Sequence, residues 1–188
     1  MGFSMRFWVV LALMALPAQA EECFSGSPSH VSYDDGHEIT IIQRHGDDVT
    51  YTQPYEGFQD SVHKTHLMLF SKQARHGARS SENRWTSRLP GLDDMVPGYH
   101  FDIEGTMKSG DAEAIPYRNE GEVLGVEEVK LGACSYPALV IRVNTYLNDQ
   151  LAITATEYLS AEMLVLLRSE HVVVISGKVA RFQAVAIQ

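Results

Sequence analysis

Apolar and polar residues alternate with period two along much of this chain, and that alternation predicts strands. From Glu38 to Arg44, Ile39 and Ile41 project to one side, with Thr40 and Ile42 on the other. After the polar reversal His45-Gly46-Asp47-Asp48, Val49, Tyr51 and Gln53 alternate against Thr50 and Thr52, which predicts a β-hairpin. The pattern is most regular beyond Tyr99, in the segments 99–107, 122–131, 138–147, 151–159, 163–171 and 179–187. In the third of these, Leu139, Ile141, Val143, Thr145 and Leu147 share one face, opposite Arg142, Asn144 and Tyr146. Asn148-Asp149, Ser160-Ala161-Glu162 and Ser176-Gly177-Lys178 supply the reversals, so the second half reads as an antiparallel meander.

The first half is less regular. Residues 24–36, with Gly26, Pro28 and Gly36, predict an extended arm. His63 to Lys72 predicts one strand, and residues 73–98, interrupted by Leu89-Pro90-Gly91 and Val96-Pro97-Gly98, predict a long loop. Little helix is available to cover an apolar sheet face, and twisted sheets of six or more strands coil. The expected fold is therefore mostly β, a curved antiparallel meander forming a half-barrel or open barrel closed over by the 73–98 loop. A two-sheet sandwich is the alternative.

The N-terminus changes the cellular setting. Arg6, the apolar run Phe7 to Leu16, Pro17 and the ending Ala18-Gln19-Ala20 form a secretory signal peptide over residues 1–20, followed by a single domain over 21–188. Ten apolar residues are too few to span a bilayer, which needs about 20, so no transmembrane segment is expected. Cys23 is third after the expected cut rather than first, which argues against a lipid anchor. Cys23 and Cys134 are the two cysteines, and in an oxidising periplasm they are expected to form a structural disulfide. Their wide separation does not suit a C-x-x-C redox pair. Cleavage removes Arg6 alone among the charged residues and takes the net charge from -9 to -10, which disfavours nucleic acid as a partner.

The order Val96-Pro97-Gly98, Val123-Leu124-Gly125-Val126-Glu127, Gly132-Ala133-Cys134-Ser135-Tyr136-Pro137 and Glu157-Tyr158-Leu159-Ser160 resembles a layout in uncharacterised periplasmic β-meander proteins. It also resembles lipoprotein-carrier half-barrels. The resemblance covers roughly residues 96–172 and implies a curved sheet able to enclose an apolar ligand. It brings no catalytic residues with it.

Motifs for chemistry are sparse. Ser61-Val62-His63-Lys64 matches the S-x-x-K nucleophile box, but the accompanying S-D-N and K-T-G elements are missing, as is G-x-S-x-G. His63 and His66 would share a helical face as metal ligands, yet no H-E-x-x-H or C-x-x-C accompanies them; surface histidines are the simpler reading. No metal or cofactor is assigned. The acidic doublets at 34–35, 47–48 and 93–94 lack EF-hand spacing.

Charge segregation is the most unusual feature. Lys64, Lys72, Arg75, Arg79, Arg84 and Arg88 cluster within 64–88 against Glu82 alone. Arg75, Arg79, Arg84, Trp85 and Arg88 are the candidate contact residues for an anionic partner, the indole stacking among the cations. The simpler alternative is a solvated loop that pairs with the protein's own acids. The leading expectation is a non-enzymatic periplasmic binding or envelope-assembly module holding an amphiphilic ligand or an envelope protein. A hydrolase or lyase with a His/carboxylate site in the barrel mouth comes second, and a structural module that contacts an envelope protein through the 73–98 loop comes third.

Overall fold

The computed structural model describes residues 23–54 and 61–188; the leader over 1–20 lies outside the described residues. Twelve strands run β1 (His30–Tyr33), β2 (Glu38–His45), β3 (Asp48–Thr52), β4 (Val62–His66), β5 (Phe70–His76) and β6 (Arg79–Trp85), followed by a 3-10 turn at Leu92–Asp94. The chain continues through β7 (His100–Ser109), β8 (Ile115–Leu131), β9 (Cys134–Leu147), β10 (Gln150–Ser160), β11 (Val165–Val173) and β12 (Lys178–Ile187). Each strand pairs antiparallel with its neighbours in sequence, and β1 pairs with both β2 and β12. The meander therefore closes into a complete barrel.

Closure depends on the short strand β1, which the sequence placed in an extended arm. Val31 lies opposite Ile39 on one side and Ile187 on the other, so four residues join the two ends of the sheet. The expected 73–98 loop is corrected too. Residues up to Trp85 belong to the walls as β5 and β6, leaving only 86–99 as a connection. Strand β6 has no apolar alternation, and backbone ladders to β5 and β7 hold it in the wall. The predicted strand 63–72 is two strands, folded back at Leu67 and Met68 with φ of 51° and 58°. Left-handed backbone is unfavourable for such residues. Here burial of both side chains offsets the cost.

The ends of the barrel differ. At one end, here called the floor, Leu67 and Met68 from the β4–β5 turn, Met95 from 86–99 and Met163 from the β10–β11 turn are buried with Val31, Ile39, Val49, Val123, Ile141 and Leu159 in one core. The 86–99 segment is strapped down by His66 Nε2 to Pro90 O (2.7 Å) and by Leu92 N–H donating to Asp47 Oδ2 (3.1 Å). Gly121 is required in the wall, because a Cβ there would lie 2.3 Å from Cζ of Phe101. The opposite end, the mouth, carries the short polar reversals.

Cys23 and Cys134 are disulfide-bonded, as the sequence predicts. Phe24 N–H donates to Tyr136 Oη (3.0 Å) and Gln183 Nε2 donates to Lys130 O (3.0 Å), so the N-terminal arm, the β8–β9 hairpin and β12 are tied together. Outward faces carry ion pairs, Arg118 with Asp102 (3.1 Å) and Arg142 with Glu122 (2.7 Å), and Glu170 sits between Arg168 and Arg181. A lipid-facing barrel instead needs an apolar outer band. Among the described residues no helix is long and apolar enough to cross a membrane.

Candidate functional site

Directly opposed residues of an antiparallel ladder share a face, so register shows which side chains enter the barrel. Starting from sealed Ile141, the row runs through Val123 on one side and through Glu157 and Ser169 on the other. In the β3–β4–β5 wall, Tyr51, His63 and Ala74 form a matching inward row. Tyr51, His63, Tyr117 and Glu157 point inward yet are only half-buried, whereas inward Val31, Ile39, Val49 and Val123 are sealed. Exposure toward the mouth is uneven, since inward Ser61, Ile103, Asn119 and Ser169 are sealed there. The partly exposed lining is polar and aromatic.

Tyr51 and His63 stack face to face, ring centroids 5.0 Å apart, and His63 meets His76 edge-on at 5.1 Å. His76 Nδ1 lies 2.8 Å from Ser61 Oγ, and Ser61 is fully buried. Tyr33 Oη donates to Leu166 O (3.0 Å). Burial pushes the Glu157 carboxyl up to about 7, opposed by a hydrogen bond from Ser169. Burial also raises Tyr51 to about 12, helped by the charge of Glu157, and raises Tyr33 further with Tyr51, Asp35 and Glu157 contributing. His63 is lowered to about 4 by burial and then by His76. Glu157 Oε2 is buried without a hydrogen-bond partner among the described residues. Perturbed titratable groups concentrated in one interior region mark a candidate site.

The residues singled out in the sequence fall elsewhere. Lys64 is exposed on the outer face while Ser61 is sealed inside, so the S-x-x-K spacing joins no pair of groups. His66 lies toward the floor, with Nδ1 2.8 Å from Asp48 Oδ1, far along β4 from the inward His63. Among the described residues no cluster of three metal-ligating side chains occurs. Lys72 pairs with Asp48 (2.7 Å), Arg84 with Glu82 (3.2 Å) and Arg88 with Asp94 (3.2 Å). Lys64 and Arg75 flank an outer groove of about 270 Å³ with Val62 and Gln73, and Arg79 is exposed at the β5–β6 turn.

Of these cations, only Lys72 shares a pocket with Trp85. Its Nε1–H donates to Ser71 O (3.0 Å), its ring packs 5.0 Å from Tyr117, and it lines a separate shallow pocket of about 510 Å³ with His66, Lys72 and Asn83. The physical reason is the strand period, which sends Trp85 to the face opposite Arg84. Sequence reasoning missed Glu157, Tyr51 and His63 as a group, since they come from β10, β3 and β4. The one available signal was a carboxylate at an inward position of an otherwise apolar alternation.

The fold defines the chain as a closed, twelve-stranded, up-and-down antiparallel barrel. A solved structure of similar fold is that of the hypothetical lipoprotein YmcC from Escherichia coli (K12), with a TM-score of 0.53 and 8% identity over 84% of this chain and 82% of that one. This likeness bears out the resemblance to uncharacterised envelope β-meander proteins at the level of fold. No family model matches the chain, and no curated protein matches it in sequence.

Proposed function

We propose that the protein is exported to the periplasm after loss of residues 1–20 and works there as a binding module that holds an amphiphilic molecule in the mouth half of its barrel. The observation that carries this reading is the change of lining along the interior, from a sealed apolar floor to half-buried Tyr51, His63, Tyr117 and Glu157. Such a gradient suits a ligand with an apolar body and a polar end, and concave apolar sites with few polar groups are the common form of ligand pocket. The outward ion pairs and the disulfide fit a barrel bathed in an oxidising aqueous compartment. Envelope association has further support in the fold it shares with a protein described as a hypothetical lipoprotein.

Native mass spectrometry of the exported protein, purified without detergent, tests the reading. The expected result is a chain beginning at Glu21, two mass units lighter than its reduced form, that carries a co-purified amphiphile or takes up dodecyl maltoside in a one-to-one complex. A bare protein that binds no dodecyl compound of any headgroup would overturn it.

A further inference from the structure

The mouth turns are not alike. Those at 33–38, 76–79, 109–115 and 147–150 expose Asp34, Asp35, Arg79, Asp111, Glu113 and Asp149, polar residues of the kind that reversals favour. The turn between β11 and β12 exposes Val174 and Ile175 instead, 43% and 83% accessible, and Ile175 is the most exposed large apolar side chain among the described residues. Val179 beside them is 55% accessible, and it lies opposite Val172 on the outer face of the hairpin. Single exposed apolar residues are ordinary on a protein surface, but four on one hairpin end form a patch.

The backbone holds this patch outward. Val173 O accepts from the N–H groups of Ser176 (3.2 Å) and Gly177 (2.8 Å), and Val174 N–H donates to Ala152 O (2.8 Å). The hairpin also stands clear on one side. The ladder between β12 and β1 ends at Tyr33 opposite Ala184, with one further bond from Asp34 N–H to Gln183 O (2.9 Å). Among the described residues, 178–182 therefore have a strand neighbour only in β11. A convex apolar tip offers no pocket to a shaped partner but suits a soft one, and binding to a bilayer interface scales with the apolar area buried plus an electrostatic contribution. Charge narrows the choice of lipid. The turns on either side bring Asp34, Asp35 and Asp149 near the tip against exposed Lys178, while Arg181 is paired with Glu170 (3.7 Å). Such a balance disfavours an anionic surface.

We propose that the β11–β12 tip is a lipid-contact wedge, with Val174, Ile175 and Val179 entering the interfacial region of a zwitterionic bilayer. Docked this way, the barrel turns its mouth toward the membrane and no strand crosses it. The contact is made by the outside of the hairpin, so it does not depend on what the interior holds.

The experiment uses the full exported chain with its disulfide intact, cosedimented with vesicles of dioleoylphosphatidylcholine alone or in equal mixture with dioleoylphosphatidylglycerol. Binding to phosphatidylcholine is expected, with weaker binding to the mixture at low salt and convergence of the two in high salt. Val174→Ser/Ile175→Ser is expected to lower partitioning roughly tenfold or more, because the apolar area that enters the interface is removed. Its urea midpoint should stay unchanged, since both side chains are exposed in the folded protein. Val96→Ser removes a floor side chain just as exposed as Val179 and should leave vesicle binding as it is. No binding to phosphatidylcholine overturns the proposal, as does stronger binding to the anionic mixture. An equal loss in Val96→Ser overturns the placement at the tip. Self-association in native mass spectrometry that the double variant abolishes, without vesicle binding, assigns the tip to a second copy of the chain instead.

Discussion

At the floor, three connections turn Leu67, Met68, Met95 and Met163 into the barrel and seal it; at the mouth, the described reversals place Asp34, Asp111, Asn148 and Ser176 outward and leave inward Tyr51, His63, Tyr117 and Glu157 partly exposed. The same strands build both ends. The difference lies in what the turns contribute, and it separates two tasks: the floor supplies folding energy, while the mouth keeps groups that folding alone would not favour, such as an unpaired carboxyl oxygen. Interiors are close-packed, so a sealed layer is sensitive to every methylene, whereas a solvent-reached layer has slack.

The sharpest way to break this comparison is to empty both layers. Ile141→Ala, in the sealed half, should cost roughly 2–5 kcal/mol. Ile153→Ala, on an inward half-buried position, should cost no more than about 1.5 kcal/mol because little new cavity forms. Urea unfolding of the two variants decides it, and equal losses would mean that the mouth is packed as tightly as the floor.

The disulfide comes next. Its sequence separation of 111 residues makes the closed loop long, and removing it with Cys23→Ser/Cys134→Ser should lower stability by roughly 2–4 kcal/mol. The bridge joins the arm to the β8–β9 hairpin outside the barrel, so dodecyl maltoside affinity should be unchanged. A parallel loss of binding would mean that the arm shapes the mouth.

Two interior groups respond to pH in opposite directions. The folded-state Glu157 lies at about 7, above its ordinary 4.5, so the folded protein holds a proton that the unfolded chain has released between those values. Stability from this group is full below pH about 4.5 and falls, by at most about 3 kcal/mol, as pH rises to 7. His63 works in the opposite direction: lowered to about 4 from 6.5, it costs stability as pH falls through that window. Between pH about 4.5 and 6.5 the two slopes oppose each other, so the urea midpoint should run nearly level there. Glu157→Gln should leave a midpoint that rises from pH about 4 to 6.5, and His63→Gln one that falls from about 4.5 to 7; a profile unchanged by both would place the titrating groups elsewhere.

Much of the wall was legible in the sequence, and the site was not. Alternation at Leu139, Ile141 and Val143 was sufficient because both faces of β9 are decided by burial, and Asn148-Asp149 turns with φ of 49° and 60° as its residue types allow. Strand β6 escaped because Arg79, Ser80, Ser81, Glu82 and Asn83 have no apolar period, and the Leu67-Met68 reversal escaped because its residues are apolar where turns favour Gly or Asn. The cationic cluster looked like one surface in sequence, but strand geometry sent Trp85 to the other face and paired Lys72, Arg84 and Arg88 with Asp48, Glu82 and Asp94. Glu157, Tyr51 and His63 meet only once the barrel closes, and closure is fixed by a four-residue strand that local pattern does not single out.

The smallest expected effect concerns neighbours on one strand. Ile141 is sealed in the interior, while Arg142, the next residue, points outward with its side chain 57% exposed and its guanidinium 2.7 Å from Glu122. Proximity suggests a strong pair, but solvent screens it and ordering two long side chains costs entropy. Exposed pairs of this kind contribute about 0–1 kcal/mol. Arg142→Ala should therefore shift stability by no more than about 0.5 kcal/mol, an order of magnitude below Ile141→Ala one position away. Glu122 also has His100 within 3.6 Å, which remains as a partner when the guanidinium is gone. Urea midpoints measured at low and high salt make the comparison decisive, since a loss above about 1 kcal/mol that persists in high salt would show Arg142 acting through packing on the outer face rather than through charge.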